Sequence, residues 1–395
     1  MNTLFLHKGS KPDYKLKTLK RIIIATDSFK GSLSSAEAGN AIEAGILDAV
    51  PEADVKVVPV ADGGEGTAEA LCRALSGTMY SVNAHDPLGR PVNASYCIAG
   101  DLAVMEMSQA SGLTLLRPEE RNPMLTSTYG TGQMILDALR KGCRRFLIGI
   151  GGSATNDGGT GMLEALGFRF IDNEGCEVHG CGASLHKIAS VDCSGAIPEL
   201  SQCHFSIACD VDTPFCGPDG ASQMFAPQKG ADAEMTEELE RGMESFAEVI
   251  ERFNGVRLYS MPGSGAAGGL GGAFTAFLGA ELEPGAEIVL DTLNFSGLIS
   301  GCSLMVTGEG RMDRQTVHGK TPAGVLKYAS AQRIPVIAFC GKIEDRDILA
   351  NAGFSGIYEI DARGLPLQEA MKPDIAAENL RRAACIVFQK SHAWR

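Results

Sequence analysis

The sequence has little with which to hold a nucleic acid or a membrane. Its 35 Lys and Arg are outnumbered by 48 Asp and Glu, for a net charge of −13 and a pI near 5.1. That balance argues against a surface whose binding is driven by clustered cations. No apolar run is long enough to span a membrane, and Leu4 to Leu6, set among the lysines of residues 1–20, is too short even for the core of a signal peptide. Residues 1–20 are therefore read as a loose N-terminal extension, and the protein is expected in the cytoplasm. The 12 Cys include no CxxC pair, so they read as reduced, mostly structural thiols. Cys176, His179, Cys181 and His186 are zinc-ligating types, but their spacing fits no standard zinc site.

Several familiar catalytic patterns are also missing. There is no G-x-S-x-G; Ser153 follows Gly151 and Gly152 but lacks the closing glycine. His318-Gly-Lys-Thr321 ends like a Walker A motif, yet Arg314 stands where its first glycine is required. The glycine-loop, lysine-strand and HRD set of protein kinases is absent. Of the seven His, only His318 falls in a candidate loop, as a base or as a capping residue.

What the chain has in excess is glycine, 48 of 395 residues, or about 12% against a usual ~7%. The glycines gather in a few loops. Phe146 to Gly161 begins as a buried strand, then breaks into glycine, Ser153, Asn156 and Asp157 ahead of a helix expected from Met162. A glycine-rich strand-to-helix junction presents bare N–H groups and the positive end of a helix dipole to an anion. The competing reading gives the glycines to tight turns and close packing. Pro262 to Gly272 contains G-x-G-x-x-G at Gly263, Gly265 and Gly268, without the strand that a dinucleotide site needs; anion cradle and hinge both fit.

The β-loop-α rhythm is clearest at the two ends of the chain. Arg21–Ala25 reads as a buried strand followed by a helix capped by Ser34 or Ser35, and Val55–Val60 as a second strand leading into a helix that ends near Leu75. Residues 81–125 look like antiparallel strands and loops, and 231–253 like a long amphipathic helix with a solvated acidic face. From Ser303 the rhythm returns, with strands at Leu304–Thr307, Pro335–Phe339 and Gly356–Ile360, each ending in a polar loop, and helices from Pro322 and Pro373. The architecture implied is α/β: one domain made from residues 21–80 plus 290–395, interrupted by an inserted mixed α/β domain, 81–289.

At the expected strand ends stand Asp27, Ser28 and Lys30; Asp62 and Glu65; Ser153, Asn156 and Asp157; Asp210 and Asp212; Glu309, Arg311 and Asp313; and Lys320. Ligands in open α/β sheets bind at that edge. Carboxylates with a few cations, hydroxyls and exposed amides suit phosphoryl transfer assisted by Mg²⁺. On chemistry alone, Asp27 or Asp62 would act on the acceptor hydroxyl, with Lys30 facing the developing charge or the substrate carboxylate. Arg311 is the other candidate for that carboxylate, and Ser28, Glu65, Asp313 and Lys320 would line the substrate. Gly151, Gly152, Ser153, Asn156, Gly263, Gly265 and Gly268 would cradle nucleotide phosphates, and Asp157, Asp210 and Glu309 are the candidates for Mg²⁺. The same groups would also serve an Mg²⁺-dependent phosphohydrolase or a non-catalytic sugar-acid sensor.

Seven stretches, namely Ile24–Ser32, Pro59–Thr67, Gly149–Gly161, Ala208–Pro214, Phe225–Gly230, Pro262–Gly271 and Thr307–Asp313, together resemble the bacterial glycerate kinase type-1 family. The resemblance runs in order through essentially everything after residue 20. It implies ATP-dependent phosphorylation of D-glycerate, generally at the 2-position, in glyoxylate or glucarate and galactarate catabolism. It also implies a cytoplasmic protein of two α/β domains, one of them flavodoxin-like, with the site in the cleft between them; a monomer or homodimer is expected.

Overall fold

Three consecutive isoleucines, Ile22–Ile24, form a strand buried on both faces, the pattern of a parallel sheet covered by helices. A computed structural model of the chain describes residues 21–317, 319–360 and 364–392, with side chains up to residue 390. The expected extension at 1–20 and His318 therefore lie outside the described residues. The chain divides into two compact units. The first takes the residues up to Asp62, Arg73–Leu75 and everything from Ala286; the second takes Gly63–Cys72 and Ser76–Gly285.

In the first unit five strands form one sheet, in the order Gly356–Glu359, Val336–Ile343, Leu304–Met312, Ile22–Ile24, Val55–Val57, all parallel. Numbered along the chain this order is 2-1-3-4-5, the flavodoxin-like winding, whose direction reverses between Ile22–Ile24 and Leu304–Met312. The helix Ser35–Ala49 starts at a capping box in which Ser34 and Glu37 satisfy each other's amides. Gly45 lets it approach the helix Pro373–His392 closely, since a Cβ there would lie 2.1 Å from the Arg381 carbonyl oxygen.

Two strands run further than the sequence suggests. Leu304–Met312 and Val336–Ile343 stay paired as far as Met312 and Ile343, so Glu309, Arg311, Cys340 and Lys342 are strand residues. The glycines that read as loop are places of close backbone approach. A Cβ on Gly308 would sit 2.2 Å from the Phe339 carbonyl oxygen, and one on Gly341 2.5 Å from that of Gly310.

The second unit carries a six-stranded mixed sheet, in the order Glu281–Glu283, His204–Ala208, Arg145–Gly149, Leu102–Glu106, Pro91–Ala99, Thr78–His85. The first four are mutually parallel and the last two antiparallel. A small antiparallel sheet, Arg169–Ile171 with Glu177–Val178 and Ser190–Asp192, lies in the same unit. The helix Ala233–Asn254 buries Leu239, Met243, Phe246 and Ile250 on one face, is capped by Asp232 and stops at Gly255 in the left-handed region. The helix expected from Met162 is the short Thr160–Ala165. Among the described residues no helix is long and apolar enough to cross a membrane.

Candidate active site

The reversal of winding in the first unit places Asp27, just beyond Ile22–Ile24, next to Glu309 on the neighbouring strand. The Asp27 amide donates to the Gly308 carbonyl, 2.9 Å, so the loop leaves the strand still attached to its partner. Ser35 pins it from the other side, donating from Oγ to the Thr26 carbonyl (2.7 Å) and accepting from the Val60 amide (3.0 Å). The chain then turns tightly through Gly31, φ +74°, and leaves the Lys30 side chain 65% exposed at the tip.

Asp27 is 3% exposed. Its Oδ1 accepts from the Ser28 amide (2.6 Å) and its Oδ2 from the Thr321 hydroxyl (3.1 Å). Burial first, then the neighbouring charge of Asp62, with a smaller contribution from Glu309, pushes its carboxyl up to about 7, against the pull of the Ser28 amide and Lys30. The Lys30 ammonium is 3.3 Å from Asp62 Oδ2; burial works against its charge, but Asp62 and Asp27 raise its pKa further than burial lowers it. Glu309 is buried and its carboxyl is raised by that burial. It accepts from the Thr316 hydroxyl (2.6 Å) and has Lys320 Nζ 3.7 Å from its other oxygen. Asp313 is also buried, accepts from the Gln315 amide and pairs with Arg311 Nε at 3.2 Å, leaving the Arg311 side chain 60% exposed.

The expected residues of the first unit thus assemble: Asp27, Lys30, Asp62, Glu309, Arg311, Asp313 and Lys320 form one chain of contacts at the ends of parallel strands, and Ser28 is part of it through its amide. Four carboxylates and three cations meet there, and the charges of Asp62 and Glu309 add to the rise of the Asp27 carboxyl that burial begins. Two hydroxyls that the sequence reading passed over complete it. Thr316 joins Asp313 to Glu309, and Thr321, the last residue of the Walker-like tetrapeptide, holds Asp27. Lys320 and Thr321 therefore serve carboxylates in this protein.

The second unit departs from expectation. The N–H groups at the start of Thr160–Ala165 are taken: Asp157 accepts from the amides of Gly159 and Gly161, and Thr128 Oγ1 accepts from Met162. Asp157 also receives the amide and hydroxyl of Thr128, at 2.7 and 2.8 Å, and has no exposed surface. Burial raises its carboxyl despite those donors. It is the anion at this helix start, which leaves no place there for a phosphate and no free oxygen for a metal. Asn156 is buried too, donating to the Ser222 hydroxyl at 3.2 Å. Lys229, from the stretch Phe225–Gly230 to which no role attached, is fully buried with its ammonium 2.7 Å from the Thr155 carbonyl oxygen, and burial pushes its pKa down to about 7. What remains open is Gly151 and Gly152, both exposed, with nothing within 4 Å of a side chain placed at Gly151. Ser153, next to them, bridges to Gly112.

Gly263, Gly265 and Gly268 likewise do not form an open cradle. All three are buried; Gly265 and Gly268 let backbone meet backbone, and Gly263, φ +77°, packs against the Leu282 and Cys209 side chains. A Cβ on Gly265 would lie 2.0 Å from the Pro214 carbonyl oxygen, and one on Gly268 2.1 Å from that of Thr155. Gly268 also has φ +70°. Gly268→Ala is accordingly expected to lower the unfolding free energy by about 2–4 kcal/mol, from left-handed strain and overpacking; urea denaturation monitored by circular dichroism measures it. Glu65 is exposed, and so is Asp210, whose Oδ1 accepts from the Gly285 amide at 2.9 Å. Among the described residues no group of three or more His, Cys, Asp or Glu side chains is placed to hold a metal ion, which leaves the Cys176–His186 stretch without a zinc cluster there.

The model of the glycerate kinase family matches residues 22–391. The chain is 45% identical over 367 residues to the glycerate kinase of Bacillus subtilis (strain 168) and, over the same length, to the glycerate 2-kinase of Escherichia coli (strain K12), covering 92% of this chain and 96% of each relative. A crystal structure from Salmonella typhimurium LT2, described provisionally as glycerate kinase 2, superposes with a TM-score of 0.87 at 42% identity over 95% of this chain and 99% of that one. With the parallel sheet of both chain ends, the carboxylate–lysine group at its switch point and a family match from Ile22 almost to the last residue, the chain belongs to the glycerate kinase family.

Proposed function

We propose that the protein transfers the γ-phosphoryl group of ATP to the 2-hydroxyl of D-glycerate by in-line displacement. The observation that carries this reading is Asp27: a buried carboxyl whose pKa of about 7 suits a general base working near neutral pH, set among cations suited to an anionic acceptor. Asp27 takes the proton of the attacking hydroxyl as the phosphoryl group arrives. Lys30, oriented by Asp62, faces the negative charge that develops on the transferred group. Arg311 holds the glycerate carboxylate in its planar fork while Asp313 fixes the guanidinium from behind. Lys320, beside Glu309, supplies a second cation to the substrate, and Glu65 remains a candidate for its hydroxyls. The exposed amides of Gly151 and Gly152, with Ser153, are the donors we assign to nucleotide phosphates.

The donor set suits a magnesium ion that travels with ATP, because Mg²⁺ keeps several waters and needs only one or two carboxylates beside the phosphates. Glu309, through the oxygen that faces Lys320 rather than Thr316, or the exposed Asp210 would hold it; Asp157 is assigned a structural part. When bound, the ion neutralises charge on the phosphate oxygens. The 2-position follows the name of the relative from Escherichia coli.

Two measurements on one sample test the proposal. ADP release should require D-glycerate, and the proton-coupled phosphorus-31 spectrum of the product should be a doublet, since a 2-phosphate has one proton on the bonded carbon. A triplet would place the phosphate on the terminal carbon. ADP release independent of glycerate would instead mark a hydrolase.

A further inference from the structure

Glu106 is outside every motif that singled out a functional residue, yet it is a carboxylate only 5% exposed in the middle of the second unit's sheet. It ends the strand Leu102–Glu106, opposite Gly149 on the next strand. Its Oε1 accepts from the Ala68 amide at 3.0 Å, and the amides of Gly66 and Thr67 face the same carboxylate. These are N–H groups at the start of the helix Thr67–Ala74, where the dipole attracts negative charge. Glu106 thus occupies the place that a ligand phosphate takes in glycine-loop proteins.

We infer that Glu106 is a positioning residue: its buried carboxylate anchors the turn Gly63–Gly66 and so fixes where Glu65, and Asp62 one peptide bond before the turn, present their side chains. The inference deepens the kinase reading and rests on it for its kinetic consequence. The turn has two ends. Gly63, φ +85°, is clamped by packing: a Cβ there would lie 2.4 Å from that of Ala208, and a Cβ on Gly149 would lie 2.1 Å from the Gly63 carbonyl oxygen. At the other end Gly66, φ +89°, has nothing within 4 Å of an added Cβ. Side-chain packing therefore does not hold it; Thr67 ties back to the Gly64 carbonyl through its hydroxyl (2.7 Å) and amide (3.3 Å), and the carboxylate anchors the amides that follow. The anchor is electrostatic as well as geometric. Burial raises the Glu106 carboxyl, the charge of Glu65 adds to that rise, and the facing amides oppose it.

The test compares Glu106→Ala, which removes anchor and charge, with Glu106→Gln, nearly isosteric and still able to accept from Ala68. Hydrogen exchange of the amides of residues 66–68 reads the anchor without any need for activity. In Glu106→Ala that exchange should rise at least tenfold while the amides of 145–149 keep their protection. With D-glycerate and ATP, kcat should fall by roughly ten- to a hundredfold, the size of effect produced by misplacing a catalytic group by about 1 Å, at unchanged KM for ATP; Glu106→Gln should recover most of it. Unchanged exchange at 66–68 in Glu106→Ala would overturn the inference. So would a rise in exchange spread equally over 66–68 and 145–149 together with a raised KM for ATP, since that marks general loosening. If the wild type shows no glycerate-dependent turnover, the kinase reading fails, and the exchange result still decides whether Glu106 anchors the turn.

Discussion

Replacing Asp27 with Asn is expected to lower kcat/KM for D-glycerate by about 10²- to 10⁴-fold, the span of a lost general base, and at the same time to make the protein harder to unfold at pH 8. Both follow from one cause. The Asp27 carboxyl is pushed up to about 7 in the fold against an ordinary 3.8, so the folded chain binds its proton more tightly than the unfolded chain does. For a carboxyl shifted in that direction, the cost of ionising it in the fold is absent below pH 3.8, grows between 3.8 and about 7, and is fully present above. Asn carries no charge to bury, accepts from the Ser28 amide as the carboxylate does, and meets the Thr321 hydroxyl with its amide group. Its stabilising effect should be greatest at pH 8 and vanish by pH 4. Thermal melts at the two pH values, beside kinetics from pH 5.5 to 9, decide the matter. Activity within threefold of wild type, or a lower melting temperature at pH 8, would remove Asp27 from the role of base. The wild-type rate should rise with pH through an acid limb near 7.

This pairing of instability with activity marks sites where a fold holds chemistry against its own preference, and it explains what the sequence showed and what it hid. Apolar runs such as Ile22–Ile24 and the Ser34–Glu37 cap are local signals, so the α/β rhythm of both chain ends was readable. The carboxylates of the first unit could be noticed too, because several of them recur at the ends of neighbouring strands, although a single Asp there is an ordinary turn residue. Glycine was the ambiguous letter. At Gly308 and Gly341 it marks strands in close contact, and at Gly265 and Gly268 backbone packed against a neighbouring loop; a glycine by itself does not say whether its empty face meets a ligand or a carbonyl. Asp157 misled for a related reason. An Asp in a glycine loop can bind a metal or cap its own helix, and only the donors at Thr128, Gly159 and Gly161 distinguish them. Glu106, Thr321 and Lys229 were hidden because each acts on a partner distant in sequence, and Thr316 because a lone hydroxyl three residues from Asp313 reads as an ordinary turn residue. The polar ending of Leu102–Glu106 was the one local hint.

Lys30→Ala is expected to cost about two to three orders of magnitude in kcat/KM, the loss seen when one transition-state donor is removed, with almost no change in stability. The asymmetry comes from exposure. The Lys30 side chain is 65% exposed, and its partner Asp62, 3.3 Å away, only 11%; with one end in water the pair contributes about 1 kcal/mol, small beside the expected loss in rate. A structural role would therefore leave little trace in either measurement, whereas a charge that meets the transferring phosphoryl group leaves a large one in the rate alone. A second signature follows from Asp27. The charge of Lys30 holds the Asp27 carboxyl down against burial and Asp62, so removing it should move the acid limb of the rate profile to higher pH. Lys30→Arg keeps the charge and should keep the limb in place, while recovering only part of the rate because a planar guanidinium does not put its donors where an ammonium does. A Lys30→Ala enzyme with near-normal kinetics and an unmoved acid limb would take Lys30 out of the site, and with it the argument that this loop faces the phosphoryl group.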